Sequence, residues 1–135
     1  LSASEFLDTN ILVYAFTTDP RSEAAVVLLA KGCTISVQGL NEFANIARRK
    51  LGMSWDETGQ ALEAIRTLCA RIEPSTLQVH ERAMALAAKH RFSVFDAAML
   101  ATALEAGCES FWSEDLQHGM QVEATMTIFN PFLAG

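Results

Sequence analysis

Phe6-Leu7-Asp8-Thr9-Asn10-Ile11-Leu12-Val13-Tyr14 is a short apolar approach to a carboxylate, two small polar residues, and a second apolar run. Phe6-Leu7 reads as the end of a buried strand beginning at Ser4. Thr9 and Asn10 suit the turn after it, because their side chains bond nearby backbone and favour helix starts. Asp8 is thereby placed at the carboxyl end of a strand, the edge of an open α/β sheet where ligands bind. Taken alone, Asp8 reads better as a turn or capping residue.

Outward from this stretch, strands and helices alternate. Ile11–Phe16 is a short helical turn, and Pro20 marks a break or a helix start. Ala24, Ala25, Leu28 and Leu29 have helical spacing, and Gly32 closes that helix. Cys33–Val37 is a second strand, with Ser36 also placed to cap the next helix. That helix, from about Gln38 to Leu51, carries the stripe Leu40, Phe43, Ala44, Ala47 and Leu51. Ser54-Trp55-Asp56-Glu57 has capping-box form and opens a helix through Leu62, Ile65 and Leu68. Arg71-Ile72-Glu73 is a weak third strand closed by Pro74. Ser75-Thr76-Leu77-Gln78 reads as another capping box, opening a helix to about Lys89. Ser93 caps a helix from Val94 to Ala106 that is apolar on nearly all sides and therefore expected to be buried. Ser110-Phe111-Trp112 is a fourth strand, and Met126–Phe129 a last one stopped by Asn130-Pro131. The expected architecture is α/β: a parallel sheet covered on both faces, in one domain over residues 1–135.

The chain has 135 residues, half of them apolar, which suits one domain with a proper core. No apolar run is long enough to span a bilayer, and no basic-start signal peptide precedes Phe6. A soluble, cytoplasmic protein with no membrane partner is the expectation. Cys33, Cys69 and Cys108 form no C-x-x-C or Cys/His pairing, so they read as free thiols rather than a zinc site or disulfide framework. The net charge of −6 argues against a broad basic face for nucleic acid. Any such role needs a local basic patch or a metal ion.

Three further acids stand at telling places. Glu42 lies near a helix start, where a carboxylate also complements the dipole. Asp96 sits in the first turn of the apolar helix, where an ionised carboxylate costs several kcal/mol unless it is paired, capped or metal-bound. Ser113-Glu114-Asp115 follows a strand end, echoing Leu7-Asp8. Parallel strands put Asp8 and Asp115 on one edge. A helix leaving the second strand at that edge brings Glu42 there. The helix that descends into the fourth strand must start at the same edge, with Asp96. At about 6 Å and an effective dielectric near 20, each pair of ionised acids costs roughly 3 kcal/mol. Either some are protonated or a divalent cation sits among them. Oxygen ligands favour Mg²⁺ or Mn²⁺, whose chemistry with phosphate esters is hydrolysis.

Phe6-Leu7-Asp8-Thr9-Asn10, Asn41-Glu42, Phe92-Ser93-Val94-Phe95-Asp96-Ala97-Ala98 and Ser113-Glu114-Asp115-Leu116-Gln117-His118-Gly119 resemble the motifs of the PIN-domain family, and more closely those of VapC toxins of bacterial toxin–antitoxin pairs. The resemblance runs from Phe6 to Phe132. It implies a three-layer α/β/α sandwich with a mainly parallel sheet, and a Mg²⁺- or Mn²⁺-dependent endoribonuclease acting as a toxin. Asp8, Glu42, Asp96 and Asp115 match the family's acidic metal-site and catalytic positions, with Glu114 an alternative to Asp115. Asn10 and Ser113 match supporting positions that would orient ligands or water, and Thr9, in the turn beside Asp8, is taken as a further supporting residue. The resemblance also implies a homodimer and a VapB-like antitoxin.

Arg48-Arg49-Lys50 is the densest basic run and the first candidate for phosphate contact, although a basic last turn also suits a helix C-terminus. Lys89, Arg91 and His118 are further candidates for RNA contact. Trp55 and Trp112 read as packing or dimer residues. A haloacid-dehalogenase-type phosphotransferase needs an aspartate where Asn10 stands, and a receiver domain needs a lysine after Lys89, which is absent. The remaining rival is a PIN-like scaffold that binds RNA or protein without cutting.

Overall fold

The computed structural model describes residues 4–133; residues 1–3 and 134–135 of the expected domain lie outside it. Its elements in order are β1 (Glu5–Leu7), α1 (Thr9–Tyr14), α2 (Ser22–Ala30), β2 (Thr34–Ser36), α3 (Val37–Arg49), α4 (Trp55–Leu68), β3 (Arg71–Glu73), α5 (Leu77–His90), α6 (Val94–Glu105), β4 (Ser110–Trp112), β5 (Gln121–Val122) and β6 (Met126–Phe129). The strands form one sheet in the order β3-β2-β1-β4-β6-β5. All pairings are parallel except β5 with β6.

The three layers follow from the two-residue period of strand side chains. Phe6, Phe111 and Ile128 point to one face and pack with Ala97, Leu100 and Ala101 of α6 and Ala83 and Leu86 of α5. Leu7 and Ile35 point to the other and pack with Ile11 and Leu12 of α1, Leu28 of α2, Phe43 of α3 and Ile65 of α4. The Phe6 and Phe111 rings stack at 5.2 Å. Each strand is only two to four residues long, so burial of helices on both faces supplies most of the stability.

Register places the candidate residues. Leu7 pairs with Trp112 and Phe6 with Thr34, so the next row along the sheet edge is Ser36, Asp8 and Ser113. By alternation these share the face that α6 covers.

Several local expectations are revised. Asp8 itself caps α1, which starts at Thr9 rather than Ile11. Thr76, not Ser75, caps α5: its hydroxyl accepts from the Val79 N–H at 3.1 Å. The Ser54–Glu57 capping box forms as read. Helix α6 buries Ala97 and residues 99–104, but its first turn emerges, with Val94 52% and Phe95 72% exposed. Strand β5 had no sequence signature. Its hairpin to β6 turns on Glu123 and Ala124 with φ of 54° and 62°, a conformation usually signalled by Asn-Gly. No helix separates β4 from β6, so strict alternation fails there. Among the described residues no helix is long and apolar enough to cross a membrane.

Candidate active site

Asp8 ends β1 and starts α1, so its backbone is fixed by both. The carboxylate is only 7% exposed. Its Oδ1 accepts from the Thr9 N–H at 2.7 Å, and its Oδ2 from the Ser113 hydroxyl at 2.8 Å and the Asn10 amide at 3.4 Å. The capping role and the edge position expected for Asp8 coincide in one side chain. Burial pushes the Asp8 carboxyl up to about 6; the Ser113 and Thr9 hydrogen bonds oppose the rise, and the charges of Asp96 and Glu42 add to it.

Asn10 and Ser113 knit the strand ends together. The Asn10 amide donates to Asp115 Oδ2 at 3.1 Å and Ser113 Oγ at 3.4 Å, while its carbonyl oxygen accepts from the Glu114 N–H at 3.2 Å. Ser113 is fully buried, and its Oγ also accepts from the Asp115 N–H at 3.2 Å. Two residues with no formal charge therefore orient Asp8 and Asp115 relative to each other.

Glu42 approaches from α3. Ser36 caps that helix, its Oγ accepting from the Gly39 N–H at 3.0 Å. Glu42 Oε1 accepts from the Thr9 hydroxyl at 2.6 Å, and Oε2 from Gln38 at 2.8 Å. The same Gln38 amide donates to the Phe95 carbonyl at 3.2 Å, tying α3 to the start of α6. Gln38 escaped sequence reading, although its four-residue spacing from Glu42 is the helical signal for such a pair.

Asp96 stands in the first turn of α6, where its N–H donates to Ser93 Oγ at 3.1 Å. Burial raises its carboxyl pKa, a Ser93 hydrogen bond opposes this, and the charges of Asp115 and Glu42 raise it further. The structure thus brings Asp8, Glu42, Asp96 and Asp115 within electrostatic reach at one sheet edge.

Their fit to a divalent cation rests on this chemistry. The donors are carboxylate oxygens; the Asp8 and Asp96 carboxyls hold protons more tightly, first through burial and then through their acidic neighbours, and Thr9, Asn10, Gln38 and Ser113, which bond these acids, carry no charge. Among the described residues no three His, Cys, Asp or Glu side chains are gathered tightly enough for ready-made coordination. The fit is one of donor type and sign.

Glu114 is engaged elsewhere. Its Oε1 accepts from Tyr14 at 2.6 Å and its Oε2 from Arg21 at 2.7 Å, and Arg21 also forks onto Asp19 with both contacts at 2.8 Å. Burial raises the Glu114 carboxyl, but the Tyr14 and Arg21 bonds outweigh it and hold the group below its ordinary range. The Tyr14 hydroxyl is in turn pushed up to about 12, first by its bond to Glu114. Of the two neighbouring acids, Asp115 is the one whose carboxylate is joined to Asn10.

The basic candidates scatter. Arg48 packs over Trp55 at 4.5 Å and donates to the Met53 carbonyl at 2.8 Å, closing the α3–α4 connection. Arg49 is exposed. Lys50 lines a cleft of about 590 Å³ that opens beside Asn10 and Asp115. Lys89 pairs with Glu123 at 3.4 Å, and Arg91 ends α5 with φ 61°. His118 Nδ1 accepts from the Asn130 N–H at 2.9 Å. Lys89, Arg91 and His118 do not line the cleft. Trp112 is a packing residue, its ring tilted against Phe129 and its indole N–H donating to Glu5 at 3.0 Å. Cys33 and Cys69, distant in sequence, lie with their sulfurs 4.0 Å apart as free thiols.

The family model of the PIN domain matches residues 6–119, from the start of the β1 edge through the Ser113–Gly119 loop. The chain belongs to the PIN domain family. Solved structures similar to this PIN domain include Mycobacterium tuberculosis VapC20, described as a sarcin-ricin loop cleaving toxin, at 25% identity and TM-score 0.66 over 79% of this chain and 86% of that one. A toxin–antitoxin complex from Klebsiella pneumoniae matches at 20% identity and TM-score 0.74, covering 95% and 98% of the two chains. VapBC2 from Rickettsia felis, bound to a DNA fragment from its promoter, matches at 17% identity and TM-score 0.68 over 93% and 97%. No curated protein sequence matches this PIN domain.

Proposed function

We propose that this PIN domain is a Mg²⁺- or Mn²⁺-dependent endoribonuclease and the toxin of a VapBC-type toxin–antitoxin pair. The observation that carries the reading is the convergence of Asp8, Glu42, Asp96 and Asp115, from four distant segments, at one edge of the sheet. The family membership and the toxin structures among its neighbours support the same reading.

In this mechanism Asp8, Asp96 and Asp115, with Glu42, would hold a Mg²⁺ or Mn²⁺ ion, which would supply Lewis-acid activation of a phosphoryl oxygen and of water. Ser113 and Asn10 fix the Asp8 carboxylate, and Asn10 sets its spacing from Asp115. Thr9 and Gln38 occupy both oxygens of Glu42, which aims that carboxylate without neutralising it. Burial raises the proton affinity of the Asp8 carboxyl to a pKa of about 6, so a proton would compete with a cation for it near that pH. RNA contact falls to the basic residues Arg48, Arg49 and Lys50, with Lys89, Arg91 and His118 secondary. The protein acts in the cytoplasm as a homodimeric, single-domain toxin, silenced by a VapB-like antitoxin.

Controlled expression in a bacterial host tests the reading. The wild-type chain is expected to arrest growth and fragment RNA, and Asp96→Asn to do neither. Equal growth and intact RNA with both chains would overturn it.

A further inference from the structure

The cleft beside the acidic edge is built for more than solvent. It meets the candidate active site at Asn10 and Asp115, so anything seated in it lies next to the carboxylates. Its aliphatic lining comes from Val13 of α1 and from Ile46 and Leu51, at and beyond the end of α3.

Its charges are unequal in what they leave free. Glu114 and Asp19 both line the cleft, yet Arg21 is bonded to both, and Tyr14 takes another oxygen of Glu114. Lys50 also lines it, and its ammonium has no ion pair or hydrogen bond among the described residues. The Thr18 hydroxyl is likewise unengaged among them, whereas Thr17 is spent on the Tyr14 carbonyl at 3.0 Å. Tyr14 is no stacking platform: Arg21 covers its ring at 4.4 Å, and Phe132 meets it edge-on at 5.2 Å. Among the described residues of the lining, the cleft keeps a free cation, a free hydroxyl and an aliphatic wall, all beside the carboxylates.

Resting on the ribonuclease reading, we propose that this cleft seats the nucleotide next to the scissile phosphate of a single-stranded RNA, with Lys50 on that nucleotide's phosphate and its base against Val13, Ile46 and Leu51. The volume falls in the range of small-ligand sites, which suits one nucleotide rather than a duplex. A duplex keeps its bases stacked, and this wall is reached only by a base turned out of a stack. An aliphatic wall contacts any base face, so recognition at this position depends on Thr18 meeting a base edge or a ribose hydroxyl. Lys50 thereby differs from Arg48, whose guanidinium is already held by Trp55 and Met53.

The test uses a short fluorescein-labelled single-stranded RNA, with binding followed by anisotropy in Ca²⁺ and cleavage in Mn²⁺. Lys50→Ala is expected to raise Kd and KM about tenfold, as loss of a charged hydrogen bond does, with kcat within about twofold. The slope of log Kd against log salt should shrink by about 0.7, the amount for one phosphate contact on a single strand. Lys50→Arg should restore most of the loss. Val13→Phe, which fills the cleft without changing charge, should raise KM and leave the salt slope alone. Arg66→Ala, an exposed cation on α4, serves as the control. Wild-type cutting with Kd, KM and slope unchanged by Lys50→Ala overturns this inference alone. Lys50-dependent binding without any cutting supports the seat and overturns the ribonuclease reading. No RNA binding by the wild-type chain overturns both.

Discussion

Asp8→Asn should make the metal-free protein more stable at neutral pH while disabling it. In the folded chain the Asp8 carboxyl is raised from 3.8 to about 6, mainly by burial. Below 3.8 it is protonated in both folded and unfolded states. As pH rises from there through about 6, the unfolded chain ionises first, so the folded state loses stability across that window. The rise corresponds to roughly 3 kcal/mol at about 1.4 kcal/mol per pH unit. Asparagine carries no charge and is as good a helix cap as aspartate. It turns one acceptor into a donor, however, which disturbs the Ser113 and Asn10 contacts at a cost of about 1 kcal/mol. The net gain is about 2 kcal/mol, or on the order of 6–10 °C in Tm for a chain of this size. The assay is thermal unfolding of both proteins in chelator across a pH series. The difference should be full at about pH 8, shrink through pH 6 and vanish or reverse near pH 4. A variant less stable than wild type at neutral pH, or a difference independent of pH, would refute the reasoning.

Other outcomes follow from the same geometry. Millimolar Mn²⁺ should raise the Tm of the wild-type protein and leave that of Asp8→Asn nearly unchanged, because binding to the folded state alone is stabilising; equal shifts in both would place the ion elsewhere. Asp96→Asn should lower the rate of RNA cleavage by at least about a hundredfold, the scale of losing several kcal/mol of charge stabilisation; single-turnover kinetics reads this directly. Glu114→Gln should cost about 1 kcal/mol by weakening the partly exposed Tyr14–Glu114–Arg21 network, seen in denaturant titration, with cleavage retained. Loss of activity without loss of stability would instead make Glu114 a metal ligand.

Most of the sheet edge was legible because strand, turn and helix signals are local. Phe6-Leu7 before Asp8 and Phe111-Trp112 before Ser113 mark two parallel strand ends, and register then sets Asp8 beside Ser113. Ser54 and Ser93 announced their helices through cap chemistry that the structure reproduces. The features that escaped depend on neighbours distant in sequence. Strand β5 is a two-residue edge strand held by pairing with β6, and its turn uses Glu123-Ala124. The exposure of Phe95 reflects where α6 leaves the sheet, which an apolar count around the helix cannot show. In the site, the acids were readable because a carboxylate in an apolar context stands out. Their partners were less so: Gln38 is an ordinary polar residue until Glu42 and Phe95 meet it. The basic run Arg48-Arg49-Lys50 looked uniform in sequence, yet helix geometry sends Arg48 to Trp55 and Lys50 to the cleft. Cys33 and Cys69 meet because β2 follows one and β3 the other in adjacent strands.

Cleavage of total cellular RNA by the purified, antitoxin-free chain tests the central claim most directly. It would be run with Mn²⁺, with Mg²⁺ and with chelator, beside Asp8→Asn. The account predicts cutting at discrete sites that requires both the metal and Asp8. Cutting that persists in chelator or in Asp8→Asn, or none in any condition, would contradict it.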